Sequence, residues 1–344
     1  MTKRRLNQQQ LRRIQSQQRT RRGAGEEKAD SANPMLGPEQ RGRVVCHYGQ
    51  QLDIEALDGE HAGKLFRCFQ RSNLPPLVTG DEVIWQPDGE QRGVVLAREA
   101  RRTVMSRPGT RGEMRAIAVN VDTVVVVLAP LPEPFGNLVD RYLVAIEHLG
   151  LQAVVLLNKM DLLDSVDNGE EIRQLLARYA AIGYPTTQVS CANEQGFDEL
   201  RELLKGQTVV FVGQSGVGKS SLINMLLGLD DEHDKAAAVG DLSIGHDKGT
   251  HTTTATRLYH LPGSGDLIDS PGIREFGLWH VEVADLDQGF VEIRQFAERC
   301  RFRDCLHREE PGCAVQQACE QGEIDPARLA SYHQILQSLQ SGPM

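Results

Sequence analysis

The segment Gly213-Gln214-Ser215-Gly216-Val217-Gly218-Lys219-Ser220, with Ser221 next, fits the pattern G-x-x-x-x-G-K-[ST]. Backbone N–H groups can converge on the α- and β-phosphates of a nucleotide only where side chains leave room, which is what Gly213, Gly216 and Gly218 supply. Lys219 is spaced to reach the β- and γ-phosphates and Ser220 to hold Mg²⁺. A β-branched run, Thr208-Val209-Val210-Phe211-Val212, precedes the loop, and an apolar stretch, residues 222–227, follows it. A strand thus delivers the loop, and a helix adds its positive N-terminal end.

A second apolar run, residues 153–157, ends in Asn158-Lys159-Met160-Asp161. A carboxylate at the end of a buried strand can accept from both guanine N1–H and the exocyclic amine, two donors that adenine lacks, so Asp161 is the candidate guanine reader. Asn158 either bonds the base edge or braces the neighbouring loop, and the Lys159 stem can cover the base face. Ser190-Cys191-Ala192, after another short strand pattern, offers backbone N–H groups to guanine O6.

Asp269-Ser270-Pro271-Gly272 ends a further strand pattern. Asp269 there orders Mg²⁺ through its water shell, and the Gly272 N–H meets the γ-phosphate. Between the two phosphate-facing loops lies a polar stretch, residues 229–254, closing with Gly249-Thr250-His251-Thr252-Thr253-Thr254. A threonine in such a segment, Thr252 or Thr253, completes the Mg²⁺ shell only when the γ-phosphate is present, which makes a switch. The residue after Gly272 is Ile273, whose side chain cannot orient a water. Hydrolysis is therefore expected to be slow in isolation, with Lys219 stabilising the transferred phosphoryl group and His251 the candidate for the attacking water. A histidine that only shapes the loop is the alternative.

These pieces run in the order guanine motif, Ser190 loop, phosphate loop, switch, acidic loop, whereas an ordinary GTPase begins with the phosphate loop. The order is that of a circularly permuted GTPase. From about residue 36 onward, through Gly-x-His-Thr-Thr-Thr, the stretch 269–278 and a cysteine cluster near the C-terminus, the chain resembles the RsgA (YjeQ/EngC) family of bacterial small-subunit assembly GTPases. The resemblance implies GTP hydrolysis to GDP and phosphate, action in late maturation of the 30S subunit, binding to the subunit and its rRNA, and turnover stimulated by the subunit. It also suggests the water-orienting role for His251. A P-loop ATPase or kinase is disfavoured by Asn158 and Asp161; a nucleotide-regulated RNA-binding module that does not hydrolyse is kept open by Ile273.

Near the C-terminus, Cys300-x4-Cys305-x-His307-x5-Cys313 supplies three thiolates and one imidazole, a donor set for one tetrahedral Zn²⁺ per chain. Four ligands leave no open position, so the metal would be structural. Cys319 is the rival ligand, and free thiols are the alternative; the resemblance favours the four, which match the family's zinc motif. Helical patterns at 286–298 and 326–339 flank them.

The 344 residues, 40% hydrophobic, suit a multi-domain soluble chain. No apolar run reaches membrane-spanning length, no signal peptide is evident, and seven cysteines, an odd number spread over a large chain, do not read as a disulfide framework, so a cytoplasmic setting is expected; a monomer is the separate expectation for its assembly. Net charge is −9, yet Lys3, Arg4, Arg5, Arg12, Arg13, Arg19, Arg21 and Arg22 stand without a single acid among residues 1–22. That arm is either an RNA-binding tail or only a solubilising one. Short β-rich runs from 42 to 103 suggest a small barrel, an OB-fold by the resemblance, with Phe66, Phe69 and Trp85 either stacking on bases or filling the core. Arg67, Arg71, Arg98, Arg101, Arg102 and Arg107 mark its phosphate-facing side. From about 116, strand and helix patterns alternate; Asn137 is placed to cap a helix ending at Gly150, and a second ends at Gly183. The expected organisation is a disordered arm and linker at 1–38, an all-β OB-like barrel at 39–112, a circularly permuted α/β P-loop GTPase domain at 113–284, and a small α-helical zinc-binding domain at 285–344.

Overall fold

The computed structural model describes residues 36–49, 51–72, 74–109, 113–228, 256–263, 265–270, 273, 277–278 and 281–341. The basic arm, His251, Thr252, Thr253 and Gly272 lie outside them.

Five strands form the barrel: β1 (Gln40–Tyr48), β2 (Gln51–Ala56), β3 (Leu65–Gln70), β4 (Glu82–Pro87) and β5 (Arg92–Arg98). β1 pairs with both β2 and β4, which closes the sheet on itself. Alternate residues point inward, so Leu52, Ile54, Phe66, Cys68, Val83 and Trp85 share one core. Phe66 and Trp85 meet with ring centroids 4.6 Å apart and are buried, so they hold the barrel together instead of facing a ligand. Only Phe69 of the three expected aromatics is exposed, at 46%. A Cβ on Gly42 would lie 2.5 Å from the Ile54 side chain and 2.7 Å from Trp85, which is why β1 carries glycine there. A separate hairpin, β6 (Val104–Pro108) and β7 (Met114–Val119), leads out of the barrel.

The next elements alternate: β8 (Thr123–Leu128), α1 (Gly136–His148), β9 (Gln152–Leu157), α2 (Gly169–Ile182), β10 (Thr186–Gln188), α3 (Phe197–Leu204), β11 (Thr208–Val212), α4 (Lys219–Leu227), then β12 (Arg257–His260) and β13 (Asp266–Asp269). Strands run in the spatial order β10-β9-β8-β11-β13-β12, parallel from β10 to β13. Every residue of β8 and β11 is buried, as expected for parallel strands covered on both faces. Gly183 ends α2 at φ +104°, the left-handed conformation that its sequence position predicts. Asn137 is not the cap of α1. Phe135 takes that position, and Asn137, inside the first turn, donates instead to Ser331 Oγ at 3.0 Å.

The C-terminal segment holds a 3-10 turn (Val283–Gly289), α5 (Val291–Ala297), α6 (Ala314–Glu320) and α7 (Pro326–Gln340). The continuous helix expected at 286–298 is broken at Phe290, whose backbone is extended and whose ring is buried. Asp325 caps α7, accepting from the Ala327 N–H at 2.8 Å. The apolar faces of α5, α6 and α7 do not close on themselves. Phe290, Ile293, Val315, Tyr332 and Ile335 join Val139, Leu143 and Ile146 of α1 in one core.

Two junctions hold the parts together by different means. Where β1 meets β12, Cys46 pairs with Arg257, and beside this seam Arg43 bonds Asp266 (2.5 Å) and Glu55 (3.2 Å). His260 bridges the same two carboxylates at 2.7 Å and 2.9 Å, and its hydrogen bonds to Asp266 and Glu55 push its pKa up to about 9, so it is cationic at neutral pH. The C-terminal helices are fastened by Arg328 of α7, 1% exposed, which bonds Glu292 twice (2.5 and 3.1 Å) and Asp140 of α1 and lies over the Phe290 ring at 4.5 Å. Tyr179 of α2 donates to the same Asp140 at 2.7 Å. Removing one partner of such a buried network leaves the others charged and desolvated. Arg328→Ala is expected to cost about 3–5 kcal/mol in urea unfolding, and Arg328→Lys less, since a lysine keeps the charge without the fork.

Candidate functional site

Parallel strands end at one edge of the sheet, and the loops after β9, β10, β11 and β13 all emerge there. The phosphate loop follows β11. Gly213 (φ +138°) has no room for a side chain, because a Cβ would sit 2.3 Å from the Val127 carbonyl of β8. At Gly218 (φ +92°) a Cβ would meet Asn158 Nδ2 at 2.4 Å, and Gly216 adopts φ +84°. Val217 between them is buried, while Ser215 and Gly216 are exposed and Gln214 is half-buried. Lys219 opens α4 and folds back so that its ammonium donates to the carbonyls of Gly213 (2.6 Å) and Gln214 (2.5 Å). Ser220 and Ser221 are exposed in the first turn of α4.

The guanine motif is tied to this loop. Asn158, 1% exposed, donates from Nδ2 to the Val217 carbonyl at 2.9 Å, so it braces the phosphate loop, one of the two roles its position allowed. Lys159, in the left-handed region at φ +58°, bridges the carbonyls of Gly216 (2.7 Å) and Leu131 (2.9 Å) with its ammonium. The Met160 N–H bonds the Val189 carbonyl at 3.1 Å, setting the height of the turn against β10. Asp161 is exposed, and its Oδ1 accepts from the Ser190 hydroxyl at 2.5 Å. Ser190, fully buried, in turn accepts from the Asn193 N–H at 3.2 Å. Cys191 and Ala192 lie beside Asp161 on this loop, half-buried and exposed respectively. The Cys191 thiol donates to Asn158 Oδ1 at 3.6 Å, and burial, with Asp161 adding, pushes its pKa up, so it stays a protonated donor. Neither that thiol bond nor the contribution of Leu131 was visible in the sequence, where no spacing marks them.

Asp269 ends β13 and shares a small cleft with Lys219, Ser220 and Ser270. The two residues expected to order Mg²⁺, Ser220 and Asp269, are therefore brought to one place by elements almost fifty residues apart. Ile273, 1% exposed, packs into the core and does not point at the cleft. His251, Thr252 and Gly272 lie outside the described residues.

The second site is the cysteine cluster. One ligand atom from each of Cys300, Cys305, His307 and Cys313 lies within 4.8 Å of the others. Cys300 Sγ stands 3.9 Å from Cys313 Sγ, and His307 Nδ1 stands 3.6 Å and 3.4 Å from the two sulfurs. Tetrahedral coordination with the usual Zn–S and Zn–N bonds requires separations of about 3.8 Å between sulfurs and about 3.5 Å from sulfur to nitrogen. The donor set fits the metal, and Cys319 is not part of the group. His307 Nε2, the nitrogen turned away, lies 3.3 Å from Asp287 Oδ2. A carboxylate at that distance favours a proton on Nε2, which leaves Nδ1 to the sulfur side, although the pair does not meet hydrogen-bond geometry. The His307 backbone is left-handed at φ +58°, held there by Gln316 Nε2 (2.9 Å) and His333 Nε2 (2.8 Å), both bonded to its carbonyl. All seven cysteines are free of disulfides.

The sequence profile of a family described as RsgA GTPase matches residues 98–279. The small ribosomal subunit biogenesis GTPase RsgA of Marinobacter nauticus is 51% identical over 98% of this chain and 97% of its own length. That of Ectopseudomonas mendocina is 50% identical over 98% of both. Among solved structures, YjeQ from Thermotoga maritima superposes with a TM-score of 0.70 at 30% identity, covering 89% of this chain and all of its own. YloQ, described as a circularly permuted GTPase, gives 0.68 at 27%, covering 89% and 97%.

Proposed function

The chain belongs to the RsgA GTPase family, and on that premise we propose that it hydrolyses GTP to GDP and phosphate while bound to the maturing small ribosomal subunit, whose rRNA it contacts. The observation that carries this is the buried Asn158–Val217 hydrogen bond, which locks a guanine-type motif onto a phosphate loop in permuted chain order. It is a site for one nucleotide, with the base end at Asp161 and the phosphate end at Lys219.

In this reading the loop amides from Gly213 to Ser220 receive the phosphates, and Lys219 exchanges its bonds to the Gly213 and Gln214 carbonyls for bonds to phosphate oxygens. Ser220 and Asp269 would hold Mg²⁺, which neutralises charge on the β- and γ-phosphates when bound. Asp161 accepts from the guanine N1–H and amine, with Ser190 fixing its orientation, and Cys191 and Ala192 offer N–H groups to O6. Because Ile273 is buried and apolar, no residue next to Gly272 orients the attacking water. We assign that role to His251; Thr252 or Thr253 would complete the Mg²⁺ shell, and the subunit supplies the order that makes turnover fast. The barrel, the basic arm and the C-terminal segment grip RNA. The cysteine cluster holds a structural Zn²⁺. The protein works in the cytoplasm, where such thiols remain reduced, and no helix among the described residues is long and apolar enough to cross a membrane.

Turnover measured alone, with small subunits and with large subunits tests the central reading. Stimulation by small subunits only is expected; equal rates in all three would overturn it. Asp161→Asn is expected to move base preference from guanine to xanthine, because an amide can donate to the 2-oxo group, with discrimination of up to ~10⁴–10⁵ where groups are left unpaired. Unchanged GTP affinity in that variant would remove Asp161 from the base site. Metal analysis of protein purified without chelator is expected to give one zinc per chain, falling in Cys313→Ser together with the thermal midpoint. No zinc in the unaltered protein would exclude the metal assignment.

A further inference from the structure

The barrel reaches the nucleotide loops through a residue that the hydrolytic chemistry does not itself require. Thr79, 1% exposed, sits in the turn between β3 and β4. The turn is stiff. Asp81, fully buried, accepts from the Val78 N–H at 2.8 Å and is clamped on both oxygens by Arg101 at 2.7 and 2.8 Å. Gly80, at φ +94°, donates to the Val44 carbonyl of β1 (2.9 Å) and accepts from Asn120 Nδ2 (2.9 Å), next to the end of β7. The Thr79 carbonyl takes the Val119 N–H of β7 at 3.3 Å. Barrel and hairpin thus converge on one turn.

From that turn two hydrogen bonds, joined through the backbone and side chain of Thr256, lead to the nucleotide cleft. Thr79 Oγ1 donates to the Thr256 carbonyl at 3.0 Å, and Thr256 Oγ1 donates to Ser270 Oγ at 2.8 Å. Ser270, 5% exposed, directly follows Asp269 and lines the cleft with Ser220. Thr256 immediately precedes β12, whose pairing with β1 and β13 and whose ionic contacts through His260 prevent the seam from sliding independently.

We propose that Thr79 is a positioning residue for GTP hydrolysis: through Thr256 and Ser270 it sets the acidic loop at Asp269, so that contacts made by the barrel and hairpin reach the site of turnover. The inference rests on the function proposed above, in which the subunit stimulates hydrolysis. A hydrogen bond loses most of its strength over a few tenths of an ångström and a few tens of degrees, so a partly buried pair of linked bonds reports small movements of a rigid turn where apolar packing would absorb them. Each link acts on geometry alone; no proton needs to move along it.

Thr79→Val removes the donor while keeping the shape, and Thr79→Ser restores it. Expected for Thr79→Val are unchanged GTP KM, unchanged subunit affinity, basal turnover within about twofold, and a stimulated kcat lower by about 3- to 10-fold, the scale of one neutral hydrogen bond. Thr79→Ser should recover the stimulated rate. Thr256→Val cuts the second link and should lower stimulated kcat similarly, and the double variant should lose no more than the larger single loss, since both links belong to one chain. Thermal midpoints within a few degrees of the parent separate this from general destabilisation, and if Thr79→Val does not fold, Thr256→Val carries the same test. Full stimulation in the folded variants, or a fall in basal and stimulated rates alike, overturns the proposal. An unaltered protein that small subunits do not stimulate overturns the proposed function as well, which distinguishes the two failures.

Discussion

Parallel pairing of β11 between β8 and β13 is the constraint on which the nucleotide site depends. Parallel strands must all present their carboxyl ends at the same edge, so the loops bearing Asn158, Ser190, Gly213 and Asp269 meet whatever their order along the chain. The register of β11 against β8, from Val209↔Thr123 to Val212↔Val126, brings Gly213 so close to the Val127 carbonyl that only glycine fits. Circular permutation is tolerated for that reason. Contacts across the sheet build the site, and the covalent connections between strands can be rerouted without altering them.

The two attachments to this sheet differ in kind. On the β12 side, the barrel continues the sheet by backbone pairing at β1 and adds a partly exposed cluster of Arg43, Glu55, His260 and Asp266, whose charges remain in contact with water. On the helix side, the C-terminal segment shares an apolar core with α1 and is oriented by the buried Arg328 network. A buried ion pair of that type contributes little net stability over apolar packing but is costly to break, so it specifies one docking geometry. The GTPase sheet is therefore flanked by a partner joined through hydrogen bonds and another joined through packing.

The cysteine cluster follows the same logic on a smaller scale. Helices as short as α5 and α6 cannot hold a fold by themselves. Three thiols and an imidazole gathered within 4.8 Å, with Asp287 behind the imidazole and a left-handed backbone at His307 fixed by Gln316 and His333, would with a metal bound form a staple between them. The strained backbone at His307 is stable because the surrounding hydrogen bonds over-determine it.

Much of the site could be read from the chain because its parts are local: a phosphate loop needs glycines at fixed offsets, Asn158 and Asp161 lie in one turn, and Cys300 to His307 span eight residues. Strand and helix patterns in the GTPase region were equally legible, since β8 and β11 are continuous apolar runs and α2 repeats at three and four. What depended on distant partners was not. That Asn158 braces the loop depends on Val217, some sixty residues away, and Asn137 left its expected capping role for Ser331. Phe66 and Trp85 could not be told from Phe69 by residue type, because alternation along a strand names two faces without saying which is inside. The barrel's grip on Thr256, the docking of α7 through Arg328 and the placing of Ile273 in the core likewise came only from tertiary contacts. The sequence determined which chemistry was present, because backbone geometry and donor sets are short-range properties; the structure alone decided which of the polar groups face each other, because that is set by packing between elements the chain keeps far apart.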